Sequence, residues 1–334
     1  MNPVSVTTFW GKMDKIVWGI IGCGNVTEVK SGPAFNKVAN SSLAAVMRRD
    51  KILAQDYAER HHVKKWYSNS DELINDPEVN AIYIATPPDS HEHYTIAALK
   101  VGKPVYVEKP MALNSSEASR MLEASKKYSG KLSVAHYRRA QPRFLEILNL
   151  IRNHALGVIE SAEITLFQAP TPNVADTWRV NPSISGGGLF HDLAPHQLDL
   201  MLYFFGQPKS IKGSSSNRGK YYKADDYVSA DIIFGENIIF KGVWDYTVTP
   251  DKELDLCIIK GTKGILRFPI FTDGCQLTIE GQTKNLNFPP IPHVQQPMIE
   301  QVVNYFLNKG PNPCPASEAL IVMEIMDRIC GKLK

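Results

Sequence analysis

Short runs of aliphatic and β-branched residues alternate with longer stretches of helical period from residue 16 to about 135. That alternation predicts a parallel sheet covered by helices. The predicted strands are Ile16 to Ile21, Leu43 to Met47, Ala81 to Ala85, Pro104 to Val107 and Leu132 to Ala135. Helices are predicted between them, over Val26 to Asn36, Ile52 to His61, Asp71 to Asn75, His91 to Val101 and Ser115 to Tyr128. Asp89 with Glu92 gives an N-capping signature ahead of the helix at His91, and Gly102 and Gly130 stop the last two helices.

From about residue 158 the apolar period shortens to two, in runs rich in Val, Ile, Thr and aromatics. Strands are predicted over Val158 to Phe167, Asp226 to Phe234, Ile238 to Tyr246, Leu254 to Ile259, Ile265 to Phe268 and Gln276 to Ile279. Gly235-Glu-Asn237, Lys260 to Gly264 and Asp273-Gly274 supply the turns, so the sheet is expected to be open and largely antiparallel. One helix, Gln197 to Phe205, falls inside this region, and two follow at Pro297 to Leu307 and Ala316 to Ile329. Phe288 to Pro292 and Pro311 to Pro315 read as stiff connectors.

A chain of 334 residues with 43% hydrophobic composition can bury the core of about two domains. Its formal charge of +3, with acids and bases mixed along the chain, gives no broad field for nucleic acid or a membrane surface. Small partners fit better. No run approaches the ~18 apolar residues of a membrane span, and the first fifteen residues lack a signal-peptide core. Five scattered cysteines, with no Cys-x-x-Cys pair and no histidine cluster at metal spacing, read as reduced thiols in a cytoplasmic protein without a metal. Met13-Asp14-Lys15 directly precedes the first strand, so Met13 is read as the native start and the residues before it, Phe9 and Trp10 among them, as a disordered extension.

Gly22-Cys-Gly24-Asn25-Val26-Thr27 follows a predicted strand and opens a predicted helix. Glycines there let backbone turn tightly and approach a pyrophosphate, whose charge sits among the free N–H groups of the helix start. Thr27 replaces the third small residue, and its branched side chain is expected to hold the helix slightly off the strand. The second strand ends in Arg48-Arg49-Asp50, where an acid commonly binds the adenosine ribose. Arg48 instead favours a 2′-phosphate through charge-assisted hydrogen bonds, with Arg49 as a second contact or an adenine stack. The cofactor reading is therefore NADP, with NAD as the alternative in which both arginines face solvent and Asp50 bends back to the ribose.

Two further motifs join this one. Val105-Tyr-Val-Glu108-Lys109-Pro110 ends a buried strand in an acid, a cation and a proline, and Gly186-Gly-Gly precedes His191-Asp192 and His196. Taken in order with Tyr83-Ile-Ala-Thr86-Pro87-Pro88-Asp-Ser-His91, these segments resemble the glucose-fructose oxidoreductase, inositol dehydrogenase and rhizopine catabolism (Gfo/Idh/MocA) family. The resemblance runs from about residue 14 to the end. It implies an α/β fold: an N-terminal Rossmann domain with a doubly wound parallel sheet over 14–136, and a C-terminal α/β domain with a large, mostly antiparallel open sheet over 137–334. The C-terminal helix is free to pack back on the first domain.

Carried over to this chain, the resemblance places Lys109 at the nicotinamide ribose and the reacting oxygen, with Asp192 and His196 completing the catalytic group. Thr86 and Pro87 would line the cofactor after the strand Ala81 to Ala85, Glu108 would lie at the nicotinamide side, and His91 would tie down the loop. Hydride transfer to or from a carbinol carbon needs a proton acceptor and a group that stabilises the alkoxide. Histidine titrates near neutrality, so His196 is the candidate acid/base and Lys109 the electrostatic clamp and candidate relay. His191 is open between ligand contact and packing, and His61-His62 with Lys64-Lys65 reads as a solvated helix end.

Tyr137, Arg138 and Arg139, and then Trp178 and Arg179, could project aromatic and guanidinium groups into a substrate cleft; the alternative is an interface role. The implied substrate is a sugar, cyclic polyol or sugar-derived ketone. The leading reading is an NADP-dependent dehydrogenase or reductase of secondary alcohols. The competing readings are a glycosidase that retains NAD and oxidises transiently, and a non-catalytic dinucleotide sensor. A homodimer or homotetramer through the C-terminal sheet is expected, because a broad open sheet otherwise exposes apolar surface.

Overall fold

The computed structural model describes residues 13–333. The extension expected ahead of Met13 lies outside the described residues. Six strands form the first sheet: β1 (Ile16–Ile21), β2 (Ser41–Met47), β3 (Lys65–Tyr67), β4 (Ala81–Ile84), β5 (Val105–Val107) and β6 (Leu132–Val134). Their order is β3-β2-β1-β4-β5-β6, with every pair parallel. Strands β1, β4, β5 and β6 are buried on both faces, with α1 (Asn25–Val29), α2 (Lys51–Arg60), α3 (Ser70–Ile74), α4 (His91–Lys100) and α5 (Ser115–Lys127) flanking the sheet. The direction of winding reverses between β1 and β4, so a crevice opens at the C-terminal ends of these strands.

The second half begins with α6 (Pro142–Arg152) and β7 (Ile159–Phe167), followed by α7 (Pro182–Ser185) and α8 (Leu189–Phe205). Next come β8 (Pro208–Ser216), β9 (Tyr227–Phe234), β10 (Ile238–Asp245), β11 (Leu254–Gly261), β12 (Gly264–Phe268), β13 (Gln276–Ile279) and β14 (Gln282–Asn285). They form an eight-stranded sheet, β14-β13-β12-β11-β7-β10-β9-β8, antiparallel except for the β7–β10 pair. Alternation decides its faces: Val228, Ala230, Ile232 and Phe234 of β9 are buried, whereas Asp231 and Ile233 face outward. The last helices are α9 (Gln296–Phe306) and α10 (Ala316–Ile329). α10 packs on α5 and α8 and against β8, and an isolated bridge joins Ser133 to Pro315, so the C-terminal helix touches both sheets. Among the described residues no helix is long and apolar enough to cross a membrane.

Several elements depart from the expected ones. The helix predicted over Val26 to Asn36 is split into α1 and a 3-10 turn at Gly32–Asn36, because Pro33 lacks the N–H that would continue the helical ladder. Lys65 lies in β3, and its Nζ sits 3.1 Å from Asp76 Oδ2; it is not part of a solvated helix end. Asp89 falls inside a 3-10 turn, Pro88–Ser90, and no side chain caps α4. At the end of α5 the left-handed position is Ser129, one residue before Gly130.

Candidate active site

At the end of β1 the chain turns through Gly22, whose φ is +92°. A Cβ there would lie 2.7 Å from the Thr86 backbone N, so β1 and β4 can approach only across a glycine. Gly24 is different: a Cβ would meet nothing nearer than Gly22 O at 3.9 Å, and open space faces this turn. Thr27 is fully buried, and its hydroxyl donates to Gly24 O at 2.8 Å, so the branched residue fastens the turn from inside α1. Asn25 is exposed and Val26 half-buried beside it. Arg48 is half-buried after β2, where its guanidinium donates to Cys23 O at 3.4 Å. Arg49 is exposed, and Asp50 caps α2 by accepting from Leu53 N at 3.1 Å. The carboxylate that could have served a ribose is thus committed to a helix start.

Thr86 and Pro87 follow β4 and are half-buried at the crevice. Buried His91 ties this loop to the next one: Nε2 lies 2.8 Å from Thr86 O and Nδ1 3.0 Å from Pro110 O. β5 then delivers Glu108 and Lys109 to the same end of the sheet, before a cis Lys109–Pro110 bond. Glu108 is buried, and its Oε1 accepts from Tyr83 Oη at 2.5 Å and from Gln295 Nε2 at 2.6 Å. These bonds satisfy the carboxylate inside the protein and fix the backbone from which Lys109 projects.

Lys109 Nζ donates to Asp192 Oδ1 and to Asp192 O, both at 2.8 Å. Asp192 Oδ2 accepts from Arg179 Nε at 3.1 Å. Burial opposes the charge on Asp192, but the two cations win and hold its carboxyl below the usual carboxylate range. His196 stands one turn further along α8, so it and Asp192 share a helical face. The structure corrects the helix predicted to begin at Gln197: α8 starts at Leu189 and carries Pro195 within it. Burial of Phe190, Ala194, Leu198 and Met201 offsets the hydrogen bond that Pro195 removes. Gly186 and Gly188, at φ +87° and +84°, make the turn into this helix, and Gly187 receives the His191 ring, 2.3 Å from where a Cβ would be. His191 is therefore a packing residue under the turn, with its Nε2 3.2 Å from Lys332 Nζ.

His196 is buried, and among the described residues its Nδ1 has no partner. Its ring meets Tyr137 edge-on at 5.2 Å and Phe271 at 5.9 Å. The neighbouring 3-10 turn Tyr137–Ala140 separates two arginines by function. Arg139 is buried in a two-pronged pair with Asp199, at 2.8 and 2.7 Å, and also meets Glu318. Arg138 lies against aromatic rings instead, 5.6 Å from the Tyr137 centroid and 4.9 Å from that of Phe271. Arg179 stacks over the half-buried Trp178 at 4.7 Å, which brings that pair to the site through Asp192.

The profile of the oxidoreductase family with an NAD-binding Rossmann fold matches residues 16–136, and that of the Gfo/Idh/MocA C-terminal domain matches 144–267. The chain belongs to the Gfo/Idh/MocA oxidoreductase family. "Oxidoreductase P35" of Formosa agariphila is 46% identical over 321 residues, covering 95% of this chain and 99% of its own. Among solved structures, an aldose-aldose oxidoreductase from Caulobacter crescentus complexed with glycerol aligns with a TM-score of 0.84 at 22% identity, over 94% of this chain and 96% of its own. A levoglucosan dehydrogenase in complex with NADH and levoglucosan aligns at 0.82 and 23% identity, over 95% and 97%. At these identities the two structures speak for the fold.

Some residues that build the site of this family member carry no signal in the sequence. Gln295 lies in a Pro-rich stretch, yet it is fully buried and bonds Glu108. His136 is buried with its Nδ1 3.6 Å from Asp199 Oδ1. Burial pushes His136 down to about 4, and burial with nearby Lys332 pushes His191 down to about 3. Burial, then Lys109 and Arg138, hold His196 well below the usual histidine range.

A pH dependence follows. The unfolded chain takes up these protons near pH 6.5, whereas the folded protein refuses them until much lower pH, so stability is full above about 6.5 and lost as pH falls. Each such histidine is expected to cost on the order of 1 kcal/mol per pH unit. Urea-unfolding midpoints should fall steadily from pH 7 to 4.5. A flat profile would mean that the imidazoles are not held neutral.

Proposed function

We propose that this family member is an NADP-preferring dehydrogenase or reductase acting on a secondary alcohol or ketone of a sugar, cyclic polyol or sugar derivative. The observation that carries the reading is Lys109, delivered by β5 to the switch-point crevice and held at 2.8 Å by Asp192 beside the neutral His196. The open face of Gly24 and the half-buried Arg48 beside Cys23 fit a dinucleotide along β1 and β2. Gly22 to Thr27, Arg48, Arg49, Thr86 and Pro87 would hold it, with Glu108 and His91 positioning the two loops. The bound nicotinamide supplies or accepts a hydride at its C4 carbon.

The chain's own residues manage the proton and the oxygen. An ammonium has three N–H donors, and Lys109 spends two directions on Asp192, which leaves one for a substrate oxygen. That contact stabilises the developing alkoxide. His196 would take the hydroxyl proton on oxidation and return it on reduction; held below the usual histidine range, it is a weak base for the first transfer and a strong acid for the second. Asp192 and Arg179 fix the direction of the lysine, and Trp178 and Tyr137 offer apolar faces to the C–H faces of a ring. A screen of sugars, polyols and sugar ketones, followed by nicotinamide absorbance, tests this reading. Net nucleotide turnover supports it, and product formation without net absorbance change would point to a nucleotide-retaining glycosidase.

Arg48 carries the nucleotide preference, since Asp50 is engaged as a cap. Arg48→Asp should shift the ratio of kcat/KM for NADPH over NADH toward NADH by at least about tenfold, through loss of a charge-assisted bond and added repulsion. An unchanged ratio would place Arg48 outside the pocket. The functional units divide near residue 136, and self-association uses the outer face of the larger sheet, where Ile233 and Ile239 lie opposite each other and are 37% and 54% exposed. The five cysteines are unpaired, four of them buried, which suits a reducing cytoplasm.

A further inference from the structure

Arg138 and Arg139 are adjacent in sequence and both buried, at 9% and 3% exposure, yet their surroundings differ. Arg139 has two carboxylates, Asp199 and Glu318. Among the described residues the Arg138 guanidinium has no hydrogen bond and no ion pair, and its Nε is buried without a partner. The nearby Asp255 is spent on backbone, accepting from Ile270 N at 3.0 Å and Phe271 N at 2.6 Å. Rings cover Arg138 instead: Tyr137, Phe144 and Phe271, with centroids 5.6, 5.9 and 4.9 Å away. Aromatic faces stabilise the charge but accept none of the in-plane N–H bonds. A buried guanidinium whose edge has no acceptor is costly unless something else supplies one.

Arg138 adjoins the candidate site. Tyr137 and Phe271 flank both Arg138 and His196, so the guanidinium and the candidate acid/base share one aromatic wall. Of the cations Lys109, Arg179 and Arg138, the first two pair with Asp192, whereas among the described residues Arg138 pairs with no carboxylate. A neutral sugar offers the Arg138 edge no charged acceptor.

We infer that Arg138 is a specificity-determining residue that pairs with a carboxylate on the substrate, so that the substrate is a sugar acid and not a neutral sugar. The inference rests on the carbohydrate oxidoreductase reading above. A guanidinium edge presents parallel N–H donors matched to the two oxygens of a planar carboxylate, and the rings hold that edge in one plane. The carboxylate would anchor the ring at a distance from the carbon facing Lys109 and His196.

The test is calorimetric titration of the purified protein, with and without NADPH, using D-glucuronate, D-galacturonate and D-mannuronate against D-glucose, D-galactose and D-mannose. At least one acid should bind about tenfold or more tightly than its neutral parent. Arg138→Met should abolish that preference while leaving NADPH affinity unchanged, and Arg138→Lys should retain part of it. Lack of preference in all three pairs of the wild-type protein overturns the inference whether or not the variants fold. So does a preference that survives in Arg138→Met, or glucose 6-sulfate binding as tightly as the best uronate. NADPH binding in the same samples reports on the oxidoreductase reading separately: intact NADPH binding without acid preference sinks only the carboxylate.

Discussion

Lys109→Ala should lower turnover by at least ~10²-fold while NADPH affinity stays within a few-fold of wild type. In the proposed reaction the ammonium meets developing negative charge on the reacting oxygen, so its loss should act on the transition state more than on nucleotide binding. The surrounding frame does not depend on it: Glu108 keeps its bonds to Tyr83 and Gln295, and Asp192 keeps Arg179. Single-turnover kinetics with the best substrate, beside an NADPH titration, separates the two effects. Near-wild-type turnover would remove Lys109 from the chemistry, and parallel loss of NADPH binding would make it a nucleotide ligand first.

A comparably large effect is expected on stability at the adjoining ion pair. Asp199 is 1% exposed and takes both prongs of Arg139. Arg139→Met would leave that carboxylate buried without its cation, which typically costs about 3–5 kcal/mol. Replacing both members, Arg139→Met with Asp199→Leu, should restore most of the loss, because the penalty lies in the unpaired charge. Urea unfolding of the three proteins measures this directly. A loss under ~1 kcal/mol in the single variant would mean that Asp199 is protonated or hydrated.

The strands that carry the site were legible because burial on both faces writes itself as unbroken apolar runs, as in Ile16 to Ile21 and Val105 to Val107. The strands that were missed sit at edges. β8 and β14 read Pro-Lys-Ser-Ile-Lys-Gly-Ser-Ser-Ser and Gln-Thr-Lys-Asn, with little to bury, and only pairing with a neighbour makes them strands. β3 is three half-buried residues, too short to show a period. α6 shows a short apolar face in Phe144, Ile147 and Leu148, which the arginine-rich turn before it obscures in the sequence.

α8 was shortened because Pro195 is a strong local breaker, whereas packing on nearly every side of the helix overrides it. That override places Asp192 and His196 on one continuous face. Lys109, Asp192 and His196 stand in motifs that the sequence displays, and the structure brings Lys109 and Asp192 into contact across 83 positions of sequence. Whether Arg138 or Arg139 was free could not be read, since the two are neighbours of one type and only the fold supplies Asp199 and Glu318 to one of them. Gln295 supports Glu108 from 187 positions away, and no local pattern marks it.

On the proposed reading, the crevice between β1 and β4 binds a nicotinamide dinucleotide and Arg48 holds its 2′-phosphate. Titration of the purified protein with NADPH and with NADH, followed by nicotinamide fluorescence, tests it most directly. Binding of NADPH in the micromolar range, at least about tenfold tighter than NADH, is the predicted result. Binding of neither nucleotide, by protein shown to carry none already, would contradict it.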